Sequence, residues 1–142
     1  MGEAVVFEHT ADLGLRVVGR DLADLFESAA RGLIGVIVAD PATIESRLEE
    51  SVNLVDRTLE GLMASWLNEL IFRVETRRRV YAKFQVEVKT SAEQSTLTGG
   101  IAGEPIDRSR HVMDHEVKAA TRHQLVVEQT ADGWSAEMIL DI

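Results

Sequence analysis

Two stretches with helical periodicity, set among segments that alternate every second residue, constrain the fold of this chain most strongly. In the longer stretch the apolar residues recur at intervals that place them on one side of a helix: Leu59, Leu62, Met63, Trp66, Leu67, Leu70, Ile71 and Val74. We predict that Asp56 is the N-cap of this helix. A second amphipathic helix is predicted to begin after its N-cap Asp21 and to end near Val38.

Segments with period-two alternation predict seven strands around these helices. They cover residues 4–7, 15–18, a stretch within 44–54, 80–89, 96–103, 124–130 and 134–141. Ala131-Asp132-Gly133 is typical of a hairpin turn between the last two strands. The predicted order is β-β-α-β-α-β-β-β-β. We therefore expect residues 1–142 to form a single α+β domain, a layered sandwich in which both helices pack on one face of a mixed or antiparallel sheet.

Charge and composition narrow the range of functions. The net charge is −9, whereas nucleic-acid binders usually carry a basic surface that neutralises phosphates. A role in RNA metabolism would therefore require a protein partner that contacts the RNA itself. The basic run Arg77-Arg78-Arg79 follows the longer helix, and we interpret it as a complement to the helix dipole.

Several other classes of protein are disfavoured by the sequence. It has no apolar stretch of about 20 residues that would span a membrane, and no amino-terminal pattern of a signal peptide. Cysteine is absent, which removes disulfides and thiolate metal sites and fits a cytoplasmic location. No Gly-x-Ser-x-Gly, P-loop or Gly-x-Gly-x-x-Gly motif is present, so a binding role is favoured over an enzyme.

Carboxylates near both ends of the sequence suggest a metal site. Asp141 lies next to Ile142, whose α-carboxylate is the end of the given sequence, and folding could bring Asp12 and His9 to the same place. Oxygen ligands favour Ca²⁺ or Mg²⁺, with waters completing the shell, whereas His9 would allow Mn²⁺ or Zn²⁺. The alternatives are ordinary ones: Asp12 as a turn residue bonded to its own backbone, and Asp141 as part of a frayed terminus.

Three further groups of polar residues have simpler interpretations. The segment His111–Lys118 matches no zinc-ligand spacing, and we interpret it as a polar loop that enters a strand. Asn68 and Glu69 are interpreted as part of a solvated helix face. His123 fits a core histidine as well as a functional one.

Four segments in sequence order resemble the archease family: Phe7–Leu15, which contains His-Thr-Ala-Asp, then Trp66–Phe72, Val117–His123 and Trp134–Ile142. The resemblance covers the whole chain. It implies an accessory protein that helps the RtcB-type RNA ligase to become guanylylated and to turn over.

The resemblance also implies particular site residues. The family's metal site is built from the amino-terminal aspartate and the carboxy terminus, which correspond here to Asp12, Asp141 and Ile142, and calcium fits these ligands best. Lys118 belongs to the stretch beside the metal, and His9 is a further candidate. Two other functions stay open: a chaperone-like partner of an RNA-modifying methyltransferase, and a small metal-dependent hydrolase.

Overall fold

The computed structural model describes residues 2–9 and 12–142, with the backbone alone at residues 8 and 9. Its elements follow the predicted order. They are β1 (Glu3–His9), β2 (Asp12–Gly19), α1 (Leu22–Ile37), β3 (Leu48–Asp56), α2 (Leu59–Arg77), β4 (Arg79–Thr90), β5 (Ser95–Pro105), β6 (Ala119–Thr130) and β7 (Gly133–Asp141), with a short 3₁₀ helix at Pro41–Thr43.

The strands form two antiparallel sheets. The four-stranded sheet has the order β1-β2-β7-β6, and the three-stranded sheet has the order β3-β5-β4. The predicted α+β class is confirmed, while the division into two sheets differs from the expected single sheet. Strand periodicity indicates which side of a strand is buried, but not which other strand it pairs with.

Each helix contacts both sheets. Helix α1 packs against β2 and β4, and α2 packs against β6 and β3. The buried surface of α2 is accordingly wider than one stripe, because the consecutive residues Leu62, Met63 and Ala64 are all fully buried. A helix covered on one face only would expose at least one of three consecutive residues. The helices therefore lie between the sheets.

Trp66 of α2 ties the layers together. Its indole Nε1 donates a hydrogen bond to the Phe26 carbonyl of α1 at 2.8 Å. Its ring meets Phe84 of β4 edge to face, with the centroids 6.2 Å apart. The side chain is fully buried, and burial of its apolar area stabilises the fold at roughly 25 cal/mol per Å².

The helix caps confirm one prediction and correct another. The Asp21 side chain accepts a hydrogen bond from the Asp24 amide at 2.8 Å, as predicted for α1. The N-cap of α2 is Thr58, whose Oγ1 accepts from the Gly61 amide at 3.0 Å. The prediction of Asp56 was wrong because its carboxylate accepts from the Arg57 amide and pairs with Arg122.

The last two strands form the predicted hairpin, in which Thr130 pairs with Gly133. Strand β6 begins at Ala119 instead of the predicted residue 124. Its pairing with β7 is irregular between Thr121 and Val126, and this irregular part separates the predicted strand from its first residues. Gln124 lies in this irregular part with a φ of 60°. Neither described helix combines the length and apolar content that a membrane span requires.

Candidate metal-binding end of the four-stranded sheet

The register of the four-stranded sheet brings the two predicted aspartates together. Leu13 of β2 pairs with Leu140 of β7. The next residues along the two strands are Asp12, the first residue of β2, and Asp141, the last residue of β7. Directly opposite residues project from the same face, with their Cβ atoms about 4.5–5.5 Å apart. The fold therefore brings two aspartates from distant parts of the sequence to the same end of the sheet.

The two aspartates point away from the helices. Leu13 and Leu140 belong to the buried core, and side chains alternate between faces along a strand. Asp12 is half-buried and Asp141 is exposed. The predicted orientation of Asp141, away from the Leu140 layer, is confirmed.

The main chain around Asp141 is fixed on both sides. Its carbonyl accepts a hydrogen bond from the Lys118 amide at 2.7 Å, and Ala119 is its partner in the ladder with β6. Ile142 is half-buried and packs against the core. The frayed-terminus alternative is thus wrong, and three of the candidates, Asp141, Ile142 and Lys118, lie at one end of the sheet with Asp12.

His9 is paired with Asp12 in the β1–β2 ladder, so its backbone belongs to the same end. The His9 side chain lies outside the described part of the chain, as do Thr10 and Ala11. The role of His9 as an additional ligand stays a prediction.

The donor set at this end suits a hard cation. Among residues 2–9 and 12–142, no group of three or more His, Cys, Asp or Glu side chains is arranged to hold a metal ion. The predicted ligands include only two such side chains, Asp12 and Asp141, and a main-chain carboxylate at Ile142. Oxygen ligands of this kind match the preference of Ca²⁺, with waters filling its remaining positions.

A packed row borders the acidic end on the same face. Gly14 follows Asp12 by two residues, and a Cβ atom built on it would lie 2.2 Å from Phe7 Cζ, so glycine lets the Phe7 ring lie across β2. The Arg16 guanidinium lies 4.7 Å from the centre of that ring and its Nε is 3.0 Å from Glu137 Oε2. The Arg16 side chain therefore contacts both Phe7 and Glu137 in this row.

The interpretation of Asn68 and Glu69 as solvated was wrong. Glu69 accepts a hydrogen bond from Arg73 at 2.7 Å. The Asn68 amide makes two hydrogen bonds, both of 2.9 Å, with the backbone of Ala120. The interpretation of His123 as a core histidine was also wrong, because its side chain is exposed.

A buried carboxylate explains the basic run after α2. Glu50 accepts from Tyr81 at 2.8 Å and from Arg79 at 2.9 Å, and it also pairs with Arg77 and Arg73. Burial raises the pKa of Glu50, but these donors outweigh it and the net shift is downward. Burial and the adjacent carboxylate raise the pKa of Tyr81. Two of the three arginines in the run therefore bind a specific partner.

The sequence contained a signal for this site. Glu50 shares its parity with the apolar residues Val52 and Leu54 of β3, so alternation alone places its side chain on the buried face. A charge on the buried side of a strand requires partners of opposite charge, and the arginines of the basic run are candidates for that role.

A second buried carboxylate lies where β5 ends. Glu104 is fully buried and binds Arg110 at 2.6 Å, Arg47 at 3.1 Å, His111 at 2.9 Å and the Glu45 amide at 2.7 Å. The Arg110 guanidinium, opposed by burial, holds the pKa of Glu104 well below its ordinary value. The segment from His111 to Lys118 is a loop, as predicted, and this cluster anchors its beginning.

These features define a small α+β protein of two antiparallel sheets with paired carboxylates at one sheet end. The sequence model of the archease protein family matches residues 5–142. The chain is 35% identical to a protein archease of Methanosarcina acetivorans over 136 residues, which are 95% of this chain and 92% of that one. A protein archease of Pyrococcus furiosus is 35% identical over 137 residues, 96% of each chain.

Two solved structures have a fold similar to that of this chain. The solution structure of Methanobacterium thermoautotrophicum protein 1598 has a TM-score of 0.82 and 31% identity, and the alignment covers 99% of this chain and 98% of that one. The crystal structure of a Thermotoga maritima archease, described as a possible chaperone, has a TM-score of 0.62 and 19% identity over 96% of this chain and 94% of that one. The chain belongs to the archease family.

Proposed function

We propose that this protein is a metal-binding accessory protein of an RtcB-type RNA ligase. It promotes guanylylation and multiple turnover of the ligase, and so acts in tRNA splicing and RNA repair in the cytoplasm. Membership of the archease family supports this function. The observation that supports it is the register of β2 and β7, in which Leu13 pairs with Leu140 and leaves Asp12 and Asp141 as the next residues of the two strands.

In this proposal Asp12, Asp141 and the Ile142 carboxylate bind a divalent cation, which is Ca²⁺ in our assignment. Ca²⁺ accepts irregular oxygen sites at about 2.3–2.6 Å. His9 is an additional candidate ligand. The main-chain amide of Lys118 donates to the Asp141 carbonyl. The ammonium group of Lys118 offsets the repulsion between the carboxylates or binds a carboxylate of the partner.

The acidic end meets the ligase near its nucleotide pocket, where this chain's carboxylates help to arrange metal and triphosphate. Asp141 and Lys118 are exposed, so a partner can reach both. The net charge of −9 favours contact with a protein over contact with RNA. RNA is therefore bound by the ligase.

The protein has no turnover of its own in this proposal, because its sequence lacks a nucleophile motif. A chaperone-like role toward an RNA-modifying methyltransferase is the alternative from the class of interaction proteins, and the Thermotoga maritima relative is described as a possible chaperone. A small metal-dependent hydrolase is the alternative from the class of enzymes.

The test is single-turnover guanylylation of the ligase with GTP, measured with and without this protein. We expect faster guanylylation with the wild type and loss of the effect with Asp12→Asn, which keeps the side-chain size. Arg16→Lys, on the same strand and face, is the matched control and should stimulate normally. Unchanged ligase kinetics with the folded wild-type protein would contradict the proposal, and metal-dependent hydrolysis of GTP by this protein alone would favour the hydrolase.

A further inference from the structure

One side chain of α2 takes the place of a neighbouring strand at the edge of β6. The Nδ2 atom of Asn68 donates to the Ala120 carbonyl, and its Oδ1 accepts from the Ala120 amide, both at 2.9 Å. An antiparallel neighbour would satisfy the same two backbone groups. Ala120 is buried, so water does not replace these hydrogen bonds when they are lost.

The contact lies beside the candidate metal-binding end. Ala120 pairs with Leu140, and Ala119 pairs with Asp141. Lys118 precedes these residues and donates its amide to the Asp141 carbonyl. Asn68 therefore holds β6 one ladder position from Asp141 and two residues from Lys118.

This part of β6 has little other support along the strand. Its regular pairs with β7 in this part are those of Ala119, Ala120 and Thr121, after which the register shifts before Val126. The irregular part includes Gln124, with a φ of 60° that is unfavourable for residues other than glycine. Three ladder pairs next to an irregular segment restrain a strand end weakly, because terminal pairs open most readily.

We propose that Asn68 is a positioning residue: it fixes the start of β6, and with it Lys118, against Asp141. The inference rests on the proposed function of that end. Asn68 acts through Ala120 and does not bind the cation itself. An asparagine side chain is suited to this task because one amide supplies both a donor and an acceptor.

The chain offers variants that separate positioning from stability. Asn68→Leu has a similar shape and leaves both Ala120 groups unsatisfied, whereas Asn68→Asp keeps the acceptor and loses the donor. Glu60→Gln is the matched control, because Glu60 lies on the same helix and accepts from Val127 of the same strand at 3.3 Å, beyond the irregular part. All three are compared with wild type by thermal melting.

The first measurement is hydrogen exchange at the Lys118 amide, which requires no metal. We expect exchange about tenfold faster in Asn68→Leu than its change in global stability accounts for, an intermediate effect in Asn68→Asp, and no excess in Glu60→Gln. Exchange that follows global stability alone in Asn68→Leu would overturn the proposal.

The second measurement is calorimetric titration with Ca²⁺. If wild type binds Ca²⁺, Asn68→Leu should bind about tenfold more weakly and Glu60→Gln should bind normally. Equal affinity in Asn68→Leu and wild type would overturn the positioning role. A wild type that does not bind Ca²⁺ contradicts the proposed metal instead, and the exchange at Lys118 then decides on Asn68.

Discussion

The Nε2 atom of His111 lies 2.9 Å from Oε2 of Glu104, and both side chains are fully buried. The Asp107 amide donates to Nδ1 of the same ring at 2.9 Å. Because Nδ1 accepts, the hydrogen of the neutral imidazole lies on Nε2 and is donated to Glu104. The pair thus joins the end of β5 to the loop that leads to Lys118.

Removing the charge of Glu104 should destabilise the protein. Glu104→Gln leaves Arg110 and Arg47 without their carboxylate, and we expect the free energy of unfolding to fall by roughly 2–3 kcal/mol. Glu137→Gln is the control: its ion pair with Arg16 is about half-exposed on both sides and should contribute less than about 1 kcal/mol. Urea unfolding at pH 7 measures both variants, and equal losses would contradict the assigned role of burial.

Stability should also decrease in acid. The pKa of Glu104 is lowered in the folded state, mainly by Arg110, so its stabilisation is complete above its ordinary pKa of 4.5 and is lost as the pH falls below that value. Glu50, whose pKa is also lowered, acts in the same direction. Unfolding free energies between pH 7 and pH 3 should fall more steeply in wild type than in Glu104→Gln. Parallel curves would show that Glu104 does not contribute to the dependence.

Two glycines of β5 should respond differently to alanine. A Cβ atom on Gly103 would lie 1.9 Å from the Val80 carbonyl oxygen, whereas on Gly100 the nearest atom is 3.6 Å away. Gly103→Ala forces the backbone apart and should cost about 1–3 kcal/mol or more. Gly100→Ala should be neutral or stabilise by up to about 1 kcal/mol. Thermal melts of the two variants measure the difference, and a stable Gly103→Ala would contradict the close approach of β4.

A substitution in the core should lower stability and leave activity intact, whereas a substitution at the sheet end should do the opposite. Leu67 is fully buried, so Leu67→Ala should lower the free energy of unfolding by about 2–5 kcal/mol while the folded fraction still stimulates the ligase. Asp12→Ala should remain folded and fail to stimulate. The measurement is guanylylation at matched folded concentration, with a melt of each variant. Normal stimulation by folded Asp12→Ala would show that the acidic end is structural.

Adding one glycine after Ile142 should weaken Ca²⁺ binding. The extension moves the main-chain carboxylate by about 3.3 Å along the strand direction, while Asp12 and Asp141 keep their places. Ile142→Val with the original length is the control, because it retains the carboxylate. Calorimetry showing the same affinity in the extended chain would remove Ile142 from the ligand set.

The order of helices and strands could be predicted from periodicity because it depends on neighbours within a few residues. The meeting of Asp12 and Asp141 at one sheet end required more, since it depends on the register between strands more than 100 residues apart, and the family resemblance suggested it. The N-cap of α2 was misplaced because the sequence does not show that Asp56 pairs with Arg122. The hydrogen bonds between Asn68 and Ala120 were missed for the same reason, because these two residues meet only when α2 packs against β6.

Strand β7 follows every other described strand in the chain, yet it lies between β2 and β6 in its sheet. During synthesis, the β1–β2 hairpin and β6 therefore emerge from the ribosome before the strand that joins them. Until β7 arrives, the edges of β2 and β6 that face it are open to other chains. The pairing of β7 with β2 is also slow, because the two strands lie far apart in the sequence. A newly made chain thus depends on β7 both to complete the four-stranded sheet and to bring Asp141 to the end that holds Asp12, so a chain that stops before β7 lacks Asp141 at that end.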